Sequence, residues 1–184
     1  MGNTEKIIIG IDPGTKIMGY GVIAVCGKKI ELLDLDVVNL EKIKDHPLKL
    51  KKIFETMLVI IDQYKPDELA IEAQFFGKNV QSMLKLGRAQ GVAIAAALSR
   101  TIPIFEYAPR KIKQSVCGNG NASKEQVAAM LNNILDIKNR TKSLDATDGL
   151  AVAVCHHYQN GAIPTAANYK GWHSFLNNNP DRLV

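Results

Sequence analysis

The chain has 184 residues, of which 46% are hydrophobic and 22% charged, and its formal net charge is +5. That length and composition suit a single globular domain with its own core. No apolar run approaches the ~18 residues of a membrane span, residues 1–6 lack a secretory signal pattern, and three scattered cysteines argue against a disulfide framework, so a cytoplasmic location is predicted.

The first half of the chain predicts three strands, a helix and a fourth strand, at residues 7–12, 18–26, 29–38, 47–64 and 69–72 in turn. The first strand is rich in isoleucine and ends at Asp12, and the next two follow it as a meander. The fourth strand ends at Glu72. Because a helix connects the meander to this strand, it is expected to lie parallel to the first one.

The second half predicts a long helix, a strand and three further helices, at residues 80–99, 102–107, 110–116, 123–135 and 144–158. Ser123 and Gln126 have the spacing of a capping box. Gly87, Gly91 and several alanines in the long helix permit close approach of another backbone, either the sheet or a second subunit. Residues 1–160 are expected to form one domain, and residues 161–184 an irregular or disordered tail.

Positive charge is concentrated in the middle of the chain. The segment from Lys78 to Lys124 holds eight basic residues and the single acid Glu106, a net charge of +7 that exceeds that of the whole chain. Although a charge run is most often a solvated surface, so local a bias of sign indicates a polyanionic partner such as a nucleic acid. The candidate contacts are Lys78, Lys85, Arg88, Arg110, Lys111, Lys113 and Lys124.

Four acids stand where elements begin or end. Asp12 and Glu72 close strands expected to be parallel, and Asp145 and Asp148 lie three residues apart at the start of the last helix. The helix dipole alone could account for the second pair, but small and apolar neighbours indicate a buried helix start. Oxygen-only ligands suit Mg²⁺ or Mn²⁺, and two such ions ~4 Å apart would serve an in-line phosphoryl displacement, activating water and stabilising the leaving oxygen.

Together these segments resemble the RuvC-type Holliday-junction resolvases of the RNase H-like nuclease superfamily. The matching segments are residues 10–15 with 19–23, 70–72, Phe75 with 78–79, 84–87, 105–109 with 116–118, and 145–151. The first motif alone is weakly specific, whereas the whole set in this order covers nearly everything except the tail.

The resemblance implies an α/β fold of three layers, in which helices flank a mixed five-stranded sheet with three antiparallel strands followed by two parallel ones. It also implies a homodimer that binds a four-way DNA junction in recombination and repair. Such an enzyme nicks two strands of like polarity symmetrically and leaves 5′-phosphate and 3′-hydroxyl ends. Two Mg²⁺ ions per subunit, replaceable by Mn²⁺, and a branch-migration motor complex as partner are further implications.

The resemblance also assigns roles to residues. Asp12, Glu72, Asp145 and Asp148 match the metal-binding acids, and some relatives carry His at the position of Asp145. Two basic residues, Lys113 and Lys124, match those that contact the scissile region. Phe75 matches an aromatic residue that stacks on bases where the junction opens, an interaction worth ~1–3 kcal/mol per base.

Three alternatives share part of the pattern. An actin-like or sugar kinase also begins with a strand, an acid and a glycine turn, but it needs two such domains and does not explain Glu72. A nuclease that processes ribosomal RNA shares the first motif, though the segments from Phe75 to Gly118 favour the resolvase. A module that reads junctions without cutting them would be indicated by loss of one acid, and all four are present.

Overall fold

A computed structural model of the chain describes residues 5–27, 29–74, 79–135, 137 and 143–161. The described residues form five strands: β1 (Glu5–Asp12), β2 (Ile17–Cys26), β3 (Lys29–Asn39), β4 (Glu68–Glu72) and β5 (Ile104–Tyr107). They also form five helices: α1 (His46–Tyr64), α2 (Val80–Leu98), α3 (Pro109–Cys117), α4 (Lys124–Leu135) and α5 (Leu144–Gly161). Residues 162–184 of the predicted tail at 161–184 lie outside the described residues, as do residues 136 and 138–142 between α4 and α5.

The strands form one sheet in the order β3-β2-β1-β4-β5. The first three strands are antiparallel neighbours, while β4 runs parallel to β1 and β5 runs parallel to β4. The predicted fold class is therefore confirmed. Because β1 and β4 pair in parallel with Ile11 opposite Ile71, the residues that follow, Asp12 and Glu72, emerge at the same edge of the sheet.

Helices cover both faces of the sheet. Successive residues of β1 point to opposite sides, so Ile8 packs with α3, α4 and α5, whereas Ile9 packs with α1 and α2. Helix α5 is buried on opposite sides, because Leu150, Val152 and Val154 are all 0% exposed although Val152 lies on the side opposite the other two. The helix therefore forms the centre of one layer instead of its surface.

The contact of α5 with the sheet depends on glycine. A Cβ added to Gly10 of β1 would lie 2.3 Å from the backbone nitrogen of Ala153, and one added to Gly149 would lie 2.6 Å from the Cα of Tyr20. Distances this short exclude any side chain at either position. The small residues on both elements thus set how closely the helix approaches β1 and β2.

The predicted capping box at the start of α4 is present. The Ser123 backbone nitrogen donates to Gln126 Oε1 at 2.9 Å, and the Gln126 nitrogen donates to Ser123 Oγ at 3.3 Å. This reciprocal pair satisfies two backbone donors that have no partner within the helix. It fixes the direction in which Lys124, the first residue of α4, leaves the loop.

Strand β5 is shorter than the prediction of 102–107, because its first residue is Ile104. Residues 99–102 instead close a tight turn, in which the Ile102 nitrogen donates to the Ala97 carbonyl at 3.1 Å and Thr101 adopts a φ of 58°. Pro103 has no N–H to donate to a neighbouring strand. The apolar character of Ile102 reflects core packing and not strand pairing.

The turn also carries backbone strain that substitution should relieve. A β-branched residue is disfavoured at positive φ, whereas asparagine tolerates this region. We expect Thr101→Asn to raise the free energy of unfolding by about 1 kcal/mol in urea denaturation. Thr56→Asn in helical α1 is the matched control and should change stability by less than about 0.5 kcal/mol. An equal effect of both substitutions would show that the backbone at Thr101 is not strained.

No helix in the part of the chain that the structure describes is long and apolar enough to cross a bilayer.

Candidate active site

The four predicted acids lie at the carboxyl edge of β1 and β4. Asp12 is partly buried, and its pKa is raised to about 8, first by burial and then by the negative charges of Glu72, Asp148 and Asp145. The positive charge of Lys124 opposes this rise. The four carboxyl groups therefore lie within electrostatic reach of one another at this edge of the sheet.

Glu72 shares that environment from the adjacent strand. Burial and the charge of Asp148 raise its pKa to about 7, while Lys124 and Lys113 act in the opposite direction. The Glu72 carboxylate therefore interacts electrostatically with an acid of α5 and with basic residues of α3 and α4. Three separate elements beyond β4 converge on this side chain.

The start of α5 lies close to this edge because Gly19 of β2 has no side chain to keep the helix away. In the sheet register Gly19 lies opposite Asp12, and a Cβ on Gly19 would come within 1.9 Å of the Asp145 carbonyl oxygen. The first turn of the helix therefore rests on the strand residue that pairs with Asp12. Its two acids, Asp145 and Asp148, are delivered beside the first acid by backbone packing and not by a loop.

Lys124 links the two helix acids. Its Nζ lies 3.1 Å from Asp145 Oδ1 and also donates a short hydrogen bond to Asp148 Oδ2. Burial lowers the pKa of Lys124, but the hydrogen bonds and negative charges of Asp148 and Asp145 raise it above its ordinary value. The pKa of Asp148 is raised by burial, and Lys124 offsets part of that effect. A cation thus already lies among these acids.

The donor set fits a hard divalent cation. All four side chains offer carboxylate oxygen, the ligand that Mg²⁺ and Mn²⁺ prefer, and their mutual repulsion would be relieved by added positive charge. In the described residues no three acids, cysteines or histidines already surround one point. Ligation by Asp145 and Asp148 therefore requires the Lys124 ammonium to release at least one of its ion pairs.

The predicted basic residues divide into separate groups. Lys113 on α3 and Lys124 on α4 act electrostatically on the acids. Arg110 and Lys111 are exposed at the start of α3, with the Arg110 side chain against Gly120. The exposed Lys85 and Arg88 lie on α2, on the other face of the sheet. Two further candidates, Phe75 and Lys78, lie outside the described residues.

One contact beside the site was missed by the sequence analysis. Lys49 on α1 donates a hydrogen bond of 2.7 Å to the Thr15 carbonyl, in the turn that follows Asp12. The residues involved are 34 positions apart in the chain. The only sequence feature that could have indicated this contact is the group of lysines near the start of α1, which falls outside the basic segment between Lys78 and Lys124.

The chain is similar to known proteins over most of its length. The family model described as crossover junction endodeoxyribonuclease RuvC matches residues 8–156. The RuvC of Cytophaga hutchinsonii is 59% identical over 97% of this chain and 88% of its own length, and that of Bacteroides fragilis is 59% identical over 97% and 96%. A Thermus thermophilus RuvC structure in complex with a Holliday junction substrate has a TM-score of 0.78 and 32% identity, covering 85% of this chain and 95% of its own.

More distant structures share the fold. The yeast mitochondrial Holliday junction resolvase Ydc2 has a TM-score of 0.61 at 14% identity, covering 84% of this chain and 80% of its own. At that identity the similarity concerns the arrangement of strands and helices alone.

Proposed function

The chain belongs to the RuvC family of crossover junction endodeoxyribonucleases, and from this premise we propose that it resolves Holliday junctions by metal-dependent hydrolysis. Two strands of like polarity are nicked symmetrically, which leaves 5′-phosphate and 3′-hydroxyl ends. The substrate is a four-way DNA junction in recombination and repair. The family relationship also supports a branch-migration motor complex as partner.

One observation carries the proposal: four carboxylates from β1, β4 and α5 act on one another at a single edge, and lysines of α3 and α4 border them. Partly buried like charges that act on one another are costly unless a cation is bound. Basic residues alone would account for DNA binding. The acids, which repel phosphate, are explained by hydrolysis of a phosphodiester and not by binding.

The proposed site has two sets of residues, acids and lysines, with different roles. Asp12, Glu72, Asp145 and Asp148 would hold Mg²⁺, which when bound supplies an activated water and charge stabilisation for the leaving oxygen. Lys113 and Lys124 contact the scissile phosphate and its neighbours, and Lys124 exchanges its ion pairs with the acids for this contact. Hydrolysis adds water across the P–O3′ bond, so that the 3′ oxygen leaves as the hydroxyl and the phosphate stays on the 5′ side.

A substrate panel tests the proposal. A synthetic four-way junction, a linear duplex and a structured RNA of equal length are incubated with the protein in Mg²⁺ or in chelator. We expect cutting of the junction alone, and only with the metal. Cutting of the RNA would instead place the protein among RNA-processing nucleases, and junction binding without cutting would make it a structural reader.

The exposed face of α2 supports the proposed homodimer. Val80, Leu84 and Leu98 are 67%, 52% and 56% exposed, and no atom lies within 4 Å of a Cβ added to Gly87 or Gly91. Successive positions in this set are four, three, four and seven residues apart. This is the spacing of contact residues between two packed helices. Since the glycines do not contact the sheet, a second copy of α2 is the partner that fits this seam.

The dimer proposal predicts a change in assembly on charge insertion. Leu84→Asp places a charge in the apolar seam of each subunit, and we expect it to shift the mass measured by light scattering from that of a dimer to that of a monomer. Val59→Asp, at an apolar residue of α1 that is 63% exposed, is the matched control and should stay dimeric. Dimers of equal affinity in both variants would show that the α2 seam is not the interface.

A further inference from the structure

A second group of basic side chains lies between the start of α1 and the first half of α2. His46 is the first residue of α1, and the pKa of its imidazole is lowered first by burial and then by the positive charges of Arg88, Lys85 and Lys49. Lys49 belongs to α1, and Lys85 and Arg88 belong to the first half of α2, which packs beside α1. The packing of the two helices therefore brings the four side chains within electrostatic reach of each other. Asp45 supplies one opposing charge.

This group contacts the turn that follows Asp12 in the candidate active site. The Lys49 Nζ donates to the Thr15 carbonyl at 2.7 Å, and Thr15 lies in the turn between β1 and β2, three residues after Asp12. At the end of β3, the Leu40 nitrogen donates to the Lys16 carbonyl at 2.8 Å and holds the same turn. The basic group therefore borders the acids from the α1 and α2 side of the sheet.

The group also holds a polar atom in need of a partner. His46 Nε2 is inaccessible to solvent and has no hydrogen-bond partner among the described residues. The first turn of α1 contains no acid, and the Asp45 side chain does not cap it. Burial of a nitrogen without a hydrogen-bond partner costs free energy. An anionic oxygen would accept a hydrogen bond from this nitrogen and would be attracted by the surrounding positive charges.

We propose that His46, Lys49, Lys85 and Arg88 form a phosphate-binding subsite for the DNA backbone between the start of α1 and the first half of α2. This inference rests on the proposed function and deepens it, because it adds a contact on the face of the sheet opposite the lysines of α3 and α4. A strand that crosses the acidic edge would then be held on both sides of the scissile phosphate. Such a two-sided grip positions the phosphate more strictly than contacts from one face.

Junction affinity as a function of salt tests the subsite. Binding of a labelled four-way junction is measured in chelator, where no cutting occurs, for the wild type, Lys49→Gln, His46→Gln and Lys51→Gln. Lys51 is the matched control: it is an exposed lysine of the same helix, turned away from Lys49 by about 200°. We expect Lys49→Gln to weaken binding about three- to tenfold and to reduce the salt slope by about 1, with a smaller loss for His46→Gln.

The outcomes separate the two proposals. Weaker binding by both His46→Gln and Lys49→Gln, with Lys51→Gln unchanged, supports the subsite. Unchanged affinity and slope in His46→Gln and Lys49→Gln overturns it, even if Lys49→Gln cuts slowly, since Lys49 would then only support the Thr15 turn. Failure of the wild-type protein to bind the junction overturns the proposed function together with the subsite.

Discussion

Replacing Asp12 by asparagine is expected to reduce junction cleavage by about 10³-fold or more, equivalent to about 4 kcal/mol of transition-state stabilisation. The amide keeps the shape of the side chain but removes a charged ligand from the proposed metal site. Junction affinity should stay within about threefold of the wild type, because Asp12 is not a phosphate contact. Single-turnover cleavage and equilibrium binding, both with the same junction, measure the two quantities.

Asp36→Asn provides the matched control for that substitution. Asp36 is an exposed acid of β3, so the same chemical change there should leave the cleavage rate unaltered. Cleavage by Asp12→Asn at the wild-type rate would refute the metal-site hypothesis. Equal losses of cleavage and of binding would point to a folding defect instead, which thermal unfolding of the variant would show.

Gly10→Ala is expected to destabilise the fold by about 3 kcal/mol or more. The added Cβ would lie 2.3 Å from the Ala153 nitrogen and 2.4 Å from the Gly149 carbonyl oxygen. Both are backbone atoms of α5, so the clash can be relieved only by moving the helix. Since α5 carries Asp145 and Asp148, the residual folded protein should also lose cleavage. Urea denaturation measures the first effect, and cleavage per folded molecule measures the second.

Gly118→Ala separates this steric cost from the general cost of replacing glycine. Gly118 ends α3 with a φ of 70°, and no atom lies within 4 Å of an added Cβ. Only the backbone conformation opposes the change there, at about 1–2 kcal/mol. A loss at Gly10 no greater than the loss at Gly118 would show that α5 does not depend on its close contact with β1.

Much of the fold could be predicted from the sequence because local patterns and packing agree. The isoleucine run of β1, the apolar period of α1 and the capping box of α4 each indicate an element that the structure contains. The start of β5 could not be predicted, since Ile102 is apolar for its place in the core and the turn at Thr101 adopts a conformation unusual for threonine.

Part of the candidate site could likewise be predicted from the sequence, and part could not. Its four acids could be found because each stands at the end of a strand or the start of a helix, where topology determines its place. The hydrogen bond from Lys49 to Thr15, beside the site, joins residues 34 positions apart. The partly buried contact of His156 Nε2 with Glu68, at the other end of β4, joins residues 88 positions apart. No local pattern encodes such pairs, which arise only when the layers pack.

Mapping the cuts on both strands of one mobile junction tests the central claim most directly. The two strands of like polarity carry different labels, and the wild-type protein acts in Mg²⁺ or in chelator. The proposed function predicts paired cuts at symmetry-related positions, with 5′-phosphate ends, in Mg²⁺ alone. Cuts that persist in chelator, or that fall on strands of opposite polarity, would contradict it.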